Sequence, residues 1–175
     1  MLNYKNIITD FERLAKEHKQ INSFGTGDIR QLIYLTQEKK GTPQINDEWG
    51  ENITNEAPTY PLLFVLPSSV IRDEQFLTHS FNVIICDIMN TKNYNNETDI
   101  LSDTLQIAED ILAQFKYSVT IPQGDYEEKY DIVLPANITS FSEAYDDILV
   151  GWNLNIQIIL DNPLNRCIAP FKPFT

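Results

Sequence analysis

The 175-residue chain carries 13 basic against 25 acidic residues, a formal net charge of −12, which argues against general affinity for nucleic acid or anionic lipid. With 42% hydrophobic and 22% charged residues it has the balance of a folding chain, and its length suits one domain, 1–175, around one core. Cys86 and Cys167 are too few for a secreted disulfide scaffold and read as thiols, and neither a signal segment nor an apolar run of about 18 residues suggests export or a membrane span.

In chain order, Tyr4, Ile7, Ile8, Phe11, Leu14, Ala15 and His18 recur at the three-and-four spacing of one apolar helical stripe and predict a first helix. Gly25 and Gly27 read as its stop. Asp28 then caps a short segment with Ile29, Leu32 and Ile33, for which helix and strand both stay open. Residues 41–59 are polar and aperiodic and read as a long loop; Trp49 and Ile53 give it contact potential, although folding back over its own core is equally compatible.

Pro61 to Pro67 is a short apolar run closed by prolines, read as a strand at a sheet edge or one bounded by turns. From Phe76 to Met89 both alternating sets become apolar, predicting a strand covered on two faces whose polar start, Thr78-His79-Ser80, reaches solvent. Ile100, Leu101, Thr104, Leu105, Ala108, Ile111, Leu112 and Phe115 mark a second amphipathic helix, with Asp99 and Lys116 at the dipole ends that favour them.

Val119 to Pro122 and Tyr130 to Pro135 suggest a hairpin across a charged turn. Ile148, Val150, Trp152, Leu154, Ile156, Ile158 and Leu160 then occupy successive alternate positions, with Gly151, Asn153, Asn155 and Gln157 between them. That period of two predicts a long strand with one core face and one uncharged, hydrogen-bonding face. Residues 161–175 read as an extended arm in which Ile168, Phe171 and Phe174 are anchors. The expected fold is α+β: a mixed, mostly antiparallel twisted sheet packed by two main amphipathic helices.

Catalysis finds little to work with. His18 lies on an apolar helical stripe and His79 in a strand, so each reads as structural. No ligand spacing supports a metal, and no cofactor is expected. Gly25-Thr26-Gly27 lacks the lysine and preceding strand of a phosphate loop. Glu143, Asp146 and Asp147 form the best carboxylate cluster, and a hydrolase using Glu143 and Asp147 is the weakest of three readings, since acids at the start of a strand ordinarily discourage edge pairing.

Two stretches, Asp99 to Leu112 and Asp147 to Ile158, followed by Asn165-Arg166-Cys167 and Pro170, resemble neck and tail-terminator-like proteins of tailed bacteriophages, a likeness running from about Tyr60 to Pro170. The resemblance implies a non-enzymatic virion protein, assembled in the host cytoplasm. It would form a ring, of the order of six or twelve copies, at the head–tail junction, touching portal, neck or tail proteins and letting DNA pass without specific binding. Residues 41–59 and the aromatic tail have no counterpart in it. Trp49, Ile53, Ile168, Phe171 and Phe174 are therefore the expected subunit contacts. The alternative is a monomeric module that binds a protein or a small ligand.

Overall fold

The computed structural model describes residues 3–37, 58–89, 96–118, 120–123, 126–144 and 148–164. Helix α1, Tyr4–Glu17, starts on a reciprocal capping box between Asn3 and Asn6 and ends at His18, whose N–H bonds back to the Leu14 carbonyl. Ile7, Phe11, Leu14 and Ala15 form its buried stripe. The glycines do not stop it: Gly25 belongs to a strand, β1, Ser23–Thr26. Helix α2, Ile29–Gln37, follows, so the helical reading of that segment holds, with Asp28 Oδ1 accepting from the Gln31 N–H at 2.9 Å as its cap.

Strand β2, Leu62–Arg72, passes straight through Pro67 to form a long hairpin with β3, Phe76–Met89. The expectation of a strand closed by Pro67 is corrected. The register shifts between Pro67 and Ser69, and Pro67 lies past the last residue of β2 that β1 pairs, on an unpaired edge where a missing N–H costs least. Helix α3, Asn96–Ser118, has Glu97 and Asp99 in its first turn and Lys116 in its last. The expected hairpin is β4, Thr120–Gln123, with β5, Tyr126–Ile132. Two further strands are β6, Asn137–Ala144, and β7, Ile148–Asp161.

The sheet runs β1-β2-β3-β7-β5-β4, with β6 also on β7. Only β1–β2 is parallel, since α2 lies between these strands in the chain. Strand β7 pairs along its whole length with β3, while its other edge is shared: Asn137–Ala144 match Ile148–Asn155, and Tyr130–Ile132 match Ile158–Leu160. The Val133 N–H still bonds the Gln157 carbonyl. Strands β5 and β6 are therefore one path along β7, interrupted by a bulge at residues 134–136.

One sheet face carries the main core. Ile7 and Phe11 of α1 and Ile107, Ile111 and Phe115 of α3 pack there on Leu63, Val65, Phe81, Val83, Ile85 and the Leu154, Ile156, Ile158, Leu160 set of β7. Helix α2 covers part of the other face through Leu32, against Leu62, Phe64 and Cys86, with Ile84 and Phe141 beside them. The fold is α+β, as expected, with a third helix in addition to the two main ones.

Candidate interaction surface

The face of the sheet under α2 is only partly covered, and its composition is unusual for a chain with this much charge. Across the ladder, Leu66, Asn82, Asn155 and Asn137 stand opposite one another; the next row on one side is Ser69, Ser80 and Gln157, and on the other Phe64, Ile84, Asn153 and Thr139. None of these side chains is ionisable. Asn155 Nδ2 donates to Asn82 Oδ1 at 3.2 Å, a hydrogen bond between directly opposed cross-strand partners. Among the described residues, charged side chains enter this face only at its ends, with Asp131 and Asp161 at one and Glu143 at the other.

At the first of those ends the β2–β3 hairpin projects past the core. Val70 is 57% exposed, Ile71 60% and Phe76 41%, and Leu164, also exposed, is tied to the hairpin by its N–H to the Glu74 carbonyl at 3.0 Å. Ile71 and Phe76 lie on the amide face, whereas Val70, opposite His79, is on the other; exposed apolar side chains paired so on a strand end mark a contact surface more often than chance exposure.

At the other end, between α2 and β6, lies an open groove of about 210 Å³, walled by Ile29, Leu32 and Ile33 on one side and by Thr139, Phe141 and Glu143 on the other, over Ile84, Cys86, Leu149 and Asn153. Gly151 stands between Cys86 and Phe141 in the ladder and contributes no side chain to that row. A Cβ at 151 would come within 2.0 Å of the Ile85 carbonyl oxygen, so β7 and β3 approach closely only because this residue is glycine. Asn153 Oδ1 is buried and accepts no hydrogen bond among the described residues.

The chemistry-bearing residues go elsewhere. His18 is half-buried, its Nε2 3.3 Å from Asp110 Oδ2, which joins the end of α1 to α3. His79 does not reach solvent, nor does Ser80: they are 5% and 6% exposed. The His79 ring lies near those of Tyr4 and Phe81, and burial lowers its pKa from the usual 6.5. Tyr4 and the core aromatics cover this stretch because His79 alternates onto the same face as Phe81, which its polar neighbours obscured.

Cys86 is buried, and burial, with Asp87 adding to it, pushes its thiol up to about 12, so it is poorly nucleophilic. Glu143 sits exposed opposite Leu149; Asp146 and Asp147, and with them the carboxylate cluster, lie outside the described residues. So do Trp49, Ile53, Cys167, Ile168, Phe171 and Phe174. Among the described residues, no group of three or more His, Cys, Asp or Glu side chains is placed to hold a metal, and no helix is long and apolar enough to cross a membrane.

Sequence reasoning found the amide face of β7 but missed its continuation on β6. The signal was weak, because Asn137, Thr139 and Phe141 alternate with Ile138, Ser140 and Ser142 and only Ile138 and Phe141 are large and apolar.

No family model matches the chain, and no curated protein does. One solved structure, of a protein whose name carries no functional word, aligns over 94% of this chain and 100% of its own at 14% identity, with a TM-score of 0.47.

Proposed function

We propose that the chain is a structural ring subunit of the head–tail junction of a tailed bacteriophage, acting by self-association and contact with adjacent portal, neck or tail proteins. The observation that carries self-association is the uncharged amide face of β3, β7 and β6. Two copies of a molecule with net charge −12 repel one another across most of their surface, and a face with carboxylates only at its ends among the described residues is where that repulsion is least. Its Asn and Gln side chains offer both donors and acceptors, so identical or neighbouring surfaces can satisfy them on contact. The projecting Ile71 and Phe76, which alternate onto the same face as Asn82, supply the apolar part of such an interface.

The virion setting comes from the resemblance carried by Asp99 to Leu112 and Asp147 to Ile158, not from the face itself. The charge is compatible with it, since an acidic passage lets a polyanion slide without sticking. The groove beside α2 favours a second reading, a monomeric binding module.

Negative-stain imaging and light scattering of the purified full chain, alone and with candidate neck proteins, separate the two. The ring reading expects closed particles that Asn155→Lys and Gln157→Lys disperse. A species that stays monomeric in every mixture sinks it.

A further inference from the structure

We propose that the groove between α2 and β6 receives residues 165–175 of a second copy, with Phe171 and Phe174 as anchors. This rests on the self-association just proposed and names one of its contacts.

Three observations select this occupant. The first is charge: residues 165–175 contain Arg166 and Lys172 and no acidic residue, whereas Glu143 is the one charged side chain among the described lining residues. Residues 38–57, which follow α2 and include Trp49 and Ile53, contain more acidic than basic side chains. They are the poorer electrostatic match.

The second is reach. The described chain leaves β7 at Asp161, and Leu164 is held at the far tip of the sheet by Glu74. From Asp161 to Gly151, which lies between the lining residues Leu149 and Asn153 in β7, is about 33 Å along the strand. The chain between Leu164 and Phe171 spans at most about 25 Å when fully extended. That between Leu164 and Phe174 spans at most about 36 Å, so a molecule's own segment brings Phe174 but not Phe171 to the middle of its own groove, and only the segment of a neighbour seats both.

The third is chemistry. The walls are aliphatic and aromatic, with Leu32, Ile84 and Phe141 among them, which suits aromatic rings presented by an extended segment. Asn153 Oδ1, buried and unpaired among the described residues, is an acceptor for a backbone N–H. Phe171 and Lys172 can donate one, whereas Pro170 and Pro173 cannot.

The test uses full-length chains carrying Cys167→Ser. Copies with Thr139→Cys are mixed with copies with Ala169→Cys and treated with a short bismaleimide, and their assembly state is followed in parallel by light scattering. A cross-linked dimer of the two variants that disappears when Phe171→Ala and Phe174→Ala are added supports the proposal. Assembled particles without that cross-link overturn it and leave the ring reading standing. So does a cross-link that survives loss of both phenylalanines, one confined to single chains bearing both cysteines, or one formed with Trp49→Cys instead. A protein that is monomeric throughout overturns both.

Discussion

Trp152 Nε1 donates a 2.8 Å hydrogen bond to the backbone carbonyl of Leu101, joining the middle of β7 to the first turns of α3. The indole packs against the main core at the same time, so one side chain fixes where the helix sits along the strand. Trp152→Phe keeps most of the apolar contact and loses the donor, and is expected to lower unfolding free energy by about 1 kcal/mol. Trp152→Ala opens a cavity as well and should cost about 3–5 kcal/mol. Urea denaturation of the three proteins checks the order, and equal losses for Phe and Ala would remove the role given to packing.

Gly151 is held between strands whose backbones leave no room for a side chain. A Cβ there also comes within 2.7 Å of Cys86 Cα, and backbone cannot swing aside as a flexible side chain does. Gly151→Ala is expected to destabilise by roughly 1–3 kcal/mol or more. Asn155→Ala, on the exposed face two ladder positions beyond Asn153, should change stability by no more than about 0.5 kcal/mol while affecting association. A Gly151→Ala protein that unfolds at the wild-type denaturant concentration contradicts the close approach.

His79 makes a signed prediction about acid. Its folded pKa lies below the usual 6.5 because burial opposes the charged ring, so as pH falls through that value the unfolded chain takes up a proton that the folded one refuses. The His79 contribution is therefore intact above about pH 6.5 and is lost progressively below it. His79→Leu should make stability less steeply dependent on pH between about 7 and 5 than it is in the wild type. Parallel slopes in the two proteins would show that His79 is not the group responsible.

Cys86 should be nearly inert in the folded protein. With its thiol pushed up to about 12, the thiolate population at pH 8 is about a thousandfold below that of a free cysteine. In a Cys167→Ser background, labelling by a thiol-disulfide reagent is expected to be slower by at least that factor in the native state than in denaturant. Rapid native labelling would mean that the floor of the groove opens.

The elements legible in the sequence are those long enough to repeat their pattern. Helix α3 shows its apolar positions over more than four turns, from Ile100 to Phe115, and β7 alternates from Ile148 to Leu160; burial of one face leaves a period that no other local structure produces. Strand β1 has four residues and two cycles of alternation at most, too few to distinguish it from a turn around glycine. Strand β6, with one large apolar side chain on each face, reads as loop for the same reason.

What the amino-acid order determined alone is therefore the α+β class, the two main helices, the long strands and the amide character of one face of β7, because each follows from side chains within a single segment. Pairing across the chain decided the rest. That Asn137, Asn155 and Asn82 stand in one row, that His79 is covered by α1 and its neighbours, and that α2 stops short of β6 and leaves a groove all depend on register between segments tens of residues apart. Such register is set by how the whole core packs, and no local period encodes it.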